Sequence, residues 1–160
     1  MKSAYQIAQM SISLAREPLD NPMMQDFVAQ LKHVNAVADQ APGFVWRLQT
    51  ERGDATAIRG FDNPLILLNL SVWETLEELF TYVYKSDHVK PFRERRKWFQ
   101  PVEGNPYVLW WVPAGHQPTV LEARERLELL NSKGPTPEAF DFRHRFPPPD
   151  ELPQAGGMGR

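Results

Sequence analysis

Leu65-Ile-Leu-Leu-Asn-Leu-Ser-Val-Trp73 is the stretch on which the fold turns. Successive side chains of a strand point to opposite faces, so one parity carries Leu65, Leu67 and Trp73, and the other Ile66, Leu68, Leu70 and Val72. A strand apolar on both faces needs cover on both. Thr75-Leu-Glu-Glu78 follows as a capping box, in which the threonine hydroxyl and the glutamate satisfy free amides of a first helical turn. Leu76, Leu79, Phe80 and Val83 then recur at helical spacing.

Working outward, Tyr5 to Leu14 reads as a first strand that stops at Glu17-Pro18. Asp20 or Asn21 caps a helix with Pro22 in its first turn, and Met24, Phe27, Val28, Leu31, Val34, Val37 and Ala38 form its apolar stripe. Pro42-Gly43 ends it, Phe44 to Gln49 reads as a strand, and 51–63 as a loop. Past the second helix, Pro91 cannot continue a helical ladder, so a new helix is expected from His88 to Phe99. Tyr107 to Pro113 is the last strand, and Thr119-Val-Leu-Glu122 caps a final helix ending at Lys133-Gly134.

The order is strand, helix, strand, strand, helix, strand, with a C-terminal helix added. That is the α+β, ferredoxin-like βαββαβ pattern with a four-stranded antiparallel sheet. In such a unit the helices cover one face. The second apolar face is therefore expected to meet a second copy of the chain, two sheets closing into a dimeric α/β barrel. The expected organisation is one domain over 1–143 and a Pro/Gly-rich, flexible tail over 144–160. Phe140 and Phe142 anchor an extended segment that could lie across the partner.

Composition narrows the chemistry. Cysteine is absent, which excludes disulfides, thiolate metal sites and cysteine nucleophiles. A net charge of −2 gives no field for nucleic acid or an anionic membrane. No apolar run is long enough to span a bilayer and no signal-peptide core opens the chain, so a cytoplasmic protein is expected. His33, His88, His116 and His144 show no compact ligand spacing, so no metal is expected. Phosphate-binding glycine loops, nucleophile elbows and dinucleotide fingerprints are absent.

Asn69 and Trp73 share a strand face, and an amide among leucines must find a partner or lose about 1–3 kcal/mol. Either it donates to a bound oxygen with the indole as a wall, or a neighbouring strand or water satisfies it and Trp73 is core. The run Ser86–Phe99 places Arg93, Arg96 and Lys97 on one helical side, either an anion-attracting stripe or a solvated face. His88 is a candidate base or axial haem ligand, or a local cap. His116 lies in a turn after the last strand, and Tyr84, Trp98 and Trp110 are candidate walls for a flat ligand, or simply core.

Asn69-Leu-Ser-Val-Trp-Glu-Thr-Leu-Glu-Glu-Leu-Phe80, with Tyr84-Lys-Ser-Asp-His88 and Arg95-Arg-Lys-Trp-Phe99, resembles the dimeric α/β-barrel superfamily. With Leu109-Trp-Trp-Val-Pro-Ala-Gly-His116 and Gly134-Pro-Thr-Pro-Glu-Ala-Phe140, the chain is similar, from about Tyr5 to Pro149, to a bacterial family of undetermined function within it. Antibiotic-biosynthesis monooxygenases of that superfamily oxidise phenols with oxygen and no cofactor. The resemblance implies Asn69, Trp73 and Arg93 as the catalytic set, with His88, Tyr84, Trp98, Trp110 and His116 as substrate-binding candidates. A tyrosine of that pattern is replaced by Leu79, with Tyr82 or Tyr84 as substitutes. The superfamily's haem-degrading members place their axial histidine near Arg93 rather than at His88, which weakens a haem reading. Three readings stand: a cofactor-independent monooxygenase of a small aromatic, a non-catalytic binding or structural homodimer, and a haem protein.

Overall fold

A computed structural model describes residues 4–49, 63, 65–85 and 95–151. Strand β1 (Tyr5–Ala15) is the centre of the sheet. Helix α1 (Gln25–Gln40) follows a single 3-10 turn in which the Asn21 side chain accepts from the Met23 amide at 2.9 Å. Strand β2 (Phe44–Arg47), strand β3 (Ile66–Trp73) and helix α2 (Leu76–Lys85) come next. The capping box forms as its residues dictate, with the Glu78 amide donating to Thr75 Oγ1 at 3.1 Å. Between α1 and β2 the chain turns through Gly43 at φ 85°, where a Cβ would also meet the Glu78 side chain.

The described residues resume at a 3-10 turn (Arg95–Lys97), then strand β4 (Phe99–Gln100), strand β5 (Tyr107–Pro113) and helix α3 (Val120–Lys133). The expected helix reaching Phe99 is corrected at its end: Phe99 pairs with Ala15 as strand, because β1 outruns β5 and leaves ladder positions to fill. Within that expected helix Arg95–Lys97 form a 3-10 turn, and 88–94 lie outside the described residues.

All pairings are antiparallel, and β3 and β5 flank β1, with β2 on the outer edge of β3. This is the ferredoxin-like order, with β4 extending the β5 edge. Register sets the faces. Ile7 lies opposite Trp73 and Trp111, Gln9 opposite Ser71 and Leu109, and Ser11 opposite Asn69 and Tyr107. These odd positions face α1 and α2. Ala8, Met10, Leu70, Val72, Val108 and Trp110 face the other way and pack on Ala123, Leu127 and Leu130 of α3.

That second face corrects the premise of the barrel. Met10 and Val108 are 0% exposed and Leu70 and Val72 1% exposed within one chain, because α3 lies over them. The sheet is open, and α3 covers this second face within one chain. The segment after α3 also docks on its own sheet rather than reaching across: Phe140 and Leu109 exchange both backbone hydrogen bonds, at 2.8 and 2.9 Å, and Phe140 is fully buried.

Candidate functional site

On the α1/α2 face the strands carry a polar patch that the helices cover only in part, with Asn69 exposed and Ser11 and Ser13 half-buried. Gln9, Ser11 and Ser13 alternate along β1, and Asn69 and Ser71 lie beside them on β3. Above this patch the sheet and helices do not close. A cavity of about 310 Å³ remains, floored by Gln9, Ser11, Asn69 and Ser71 and walled by Leu31 and Val34 of α1, and Leu79 and Tyr82 of α2. That volume suits a small organic ligand.

The floor is wired by hydrogen bonds. The Gln9 Nε2 donates to Asn69 Oδ1 at 2.5 Å and to Ser71 Oγ at 2.6 Å. The Trp73 indole donates to the same Ser71 Oγ at 2.9 Å. Ser71 Oγ therefore accepts twice, which leaves its own proton to donate. Asn69 is exposed and held through its oxygen, and no described residue accepts from its Nδ2. The result is a pair of neutral donors, one amide and one hydroxyl, on the floor of a cavity with mixed apolar and polar walls. Such donors stabilise charge growing on a bound oxygen better than water does, since they are already oriented.

Trp73 does not line the cavity. It lies behind Ser71, 1% exposed, with Tyr82 stacked on it at 4.9 Å between centroids. The Tyr82 hydroxyl donates to the Val34 carbonyl of α1 at 3.2 Å, and burial raises its pKa well above the ordinary phenol value. Tyr107, also raised chiefly by burial, accepts from the Phe142 amide at 2.9 Å and closes one end. Tyr84 stands at the rim, 47% exposed, against Phe80 and Phe142. Arg47 is 8% exposed, and its guanidinium binds Asp39 of α1 at 2.7 Å.

The other residues expected at the site lie elsewhere. Trp98 is buried beneath α1 against Phe27, which itself reaches the cavity. Trp110 and His116 are on the opposite face, joined by one carboxylate: Glu122 accepts from the Trp110 indole at 2.9 Å and contacts His116 Nε2 at 2.7 Å. Arg93 and His88 lie outside the described residues. Among the described residues no group of three or more His, Asp or Glu could hold a metal ion, and no helix is long and apolar enough to cross a membrane.

Residues 6–155 match the family described as "Domain of unknown function (DUF3291)". The chain belongs to that family. Among curated proteins none matches this DUF3291 chain. Among solved structures it is similar to a putative antibiotic biosynthesis monooxygenase from Nitrosomonas europaea, at 9% identity and TM-score 0.46, over 72% of this chain and 95% of that one. It is also similar to a variant of SnoaB, a cofactor-independent oxygenase from Streptomyces nogalater, at 11% identity and TM-score 0.45, over 72% and 97% of the two chains. At that identity neither likeness assigns chemistry to the DUF3291 chain.

Gln9 and Ser71 are the residues that sequence reasoning passed over. The signal for Gln9 was present in Ile7-Ala-Gln-Met-Ser-Ile-Ser-Leu14, where one parity is polar, and Ser71 shares the parity of Asn69 and Trp73 in the Leu65–Trp73 strand.

Proposed function

We propose that the cavity binds a small, neutral aromatic molecule and that the chain oxidises it with molecular oxygen, without a cofactor. The observation that carries this reading is the Gln9–Asn69–Ser71 array on the cavity floor, in which Asn69 Oδ1 and Ser71 Oγ are both occupied as acceptors and an amide and a hydroxyl remain as donors. A phenol or anthrone that has lost a proton is electron-rich enough to pass one electron to oxygen. Recombination at carbon gives a hydroperoxide, and loss of water leaves a carbonyl: substrate CH2 and O2 become C=O and H2O. The protein's part is to hold the anion's oxygen, which Asn69 Nδ2 and the Ser71 hydroxyl do in this reading. Trp73 acts from behind, as the donor that fixes Ser71. Arg93 is a further proposed donor to the same oxygen.

A second reading is favoured by the lining itself. Among the described residues the cavity presents no carboxylate or imidazole, so no protein base is in view and the site would serve equally to bind without turnover. For haem, no described histidine lines the cavity, and His116 is engaged with Glu122.

Oxygen uptake with anthrone separates the readings. The monooxygenase reading expects turnover that falls about 100- to 1,000-fold in Asn69→Ala, the cost of removing one oriented donor, and a further loss in Arg93→Ala. Anthrone that binds with no oxygen consumed establishes the binding protein instead.

A further inference from the structure

The helix wall of the cavity is as irregular as its floor. Between Phe27, Leu31 and Val34, helix α1 turns two carboxamides, Gln30 and Asn35, toward the cavity. Asparagine is a poor residue for a helix interior, and a buried amide needs partners. Asn35 is nonetheless only 8% exposed, and no described residue hydrogen-bonds to its side chain. Gln30 Oε1 is buried with no hydrogen-bond partner either. The Gln30 oxygen is thus unmet on the cavity side, and Asn35 presents a carboxamide to the same cavity. They fit a ligand that brings its own hydrogen-bonding group.

We infer that Asn35 is a second recognition point, facing the sheet-borne donors Asn69 and Ser71 across the cavity. The ligand class follows: a flat, neutral molecule with oxygen functions at two separated edges, such as a dihydroxyarene or a hydroxylated aryl ketone. A carbonyl or phenolic oxygen meets Asn69, and a hydroxyl at the far edge meets the Asn35 carboxamide, which can both donate and accept. An aromatic acid is disfavoured, because the charged side chain described in the lining, Arg47, is already bound to Asp39. This inference rests on the cavity being the ligand site, and it adds to that site a specificity residue.

Calorimetric titration of the full chain with naphthalene-2,6-diol, 2-naphthol and 2-naphthoate tests it. The diol is expected to bind about tenfold more tightly than 2-naphthol, the equivalent of one satisfied buried amide, with 2-naphthoate weakest. Asn35→Leu and Asn35→Ala should each erase the diol's advantage over 2-naphthol, measured as the ratio of the two affinities within each variant. A diol advantage that persists in both variants overturns the inference, as does the lack of any advantage in the unaltered chain. Binding is read here rather than turnover. An Asn35-dependent diol that consumes no oxygen refutes the monooxygenase and keeps this site, whereas monophenol oxidation indifferent to Asn35 does the reverse.

Discussion

Gln9 Nε2 sits 2.5 Å from Asn69 Oδ1, and this one bond determines which end of the Asn69 amide meets the cavity. With its oxygen occupied, Asn69 can offer only hydrogens. The residue therefore acts as a donor by arrangement of its neighbour rather than by its own rotamer. Gln9→Met keeps the volume and removes the bond. Affinity for 2-naphthol should fall by about tenfold, with stability changed by no more than about 1.5 kcal/mol, because Ser71 keeps its indole donor. Parallel titration and denaturant melts check both numbers.

Trp73 is expected to matter first as structure. Its indole donates to Ser71 at 2.9 Å and its ring is sandwiched between Phe44 at 5.4 Å and Tyr82 at 4.9 Å. Trp73→Phe loses the donor and part of the stack, for about 1–3 kcal/mol by urea unfolding. A change within experimental error would show that Ser71 does not depend on it.

Burial raises the Tyr82 phenol above its ordinary value of 10.0, so the folded chain holds that proton more tightly than the unfolded chain. The contribution is fully present below about pH 10 and is lost as pH rises through the raised folded value. Unfolding free energy should thus decline above about pH 10. Tyr82→Phe should reduce that decline without abolishing it, because Tyr107 is raised for the same main reason.

How much of this was legible beforehand depended on where each residue's partner lies. The βαββαβ order, both capping boxes and the Gly43 turn follow from local signals, and those elements appear within a residue or two of expectation. Asn69 stood out because an amide is conspicuous among leucines. Its partner Gln9 did not, since the two are separated by 60 positions and meet only through the β1–β3 register. The cover on the second face was misassigned for a related reason. The Val120–Lys133 helix was recognised, but its landing place is a tertiary fact, and helical spacing alone cannot say whether Leu127 meets its own sheet or a twin's.

That landing place is itself testable. Leu127 is 4% exposed between α3 and the sheet, so Leu127→Ala should cost about 2–5 kcal/mol. Leu121 on the same helix is 67% exposed, and its replacement by alanine should cost little. Equal effects at the two positions would mean that α3 does not cover this face.

The side-chain amide of Asn69, followed by nitrogen–proton NMR during titration with 2-naphthol, bears most directly on the site. Its two hydrogens are expected to shift with ligand concentration, while the Trp110 indole, bound to Glu122 on the far face, stays in place. Movement of the Trp110 signal with the Asn69 pair unmoved would put the ligand on the other side of the sheet and contradict the account.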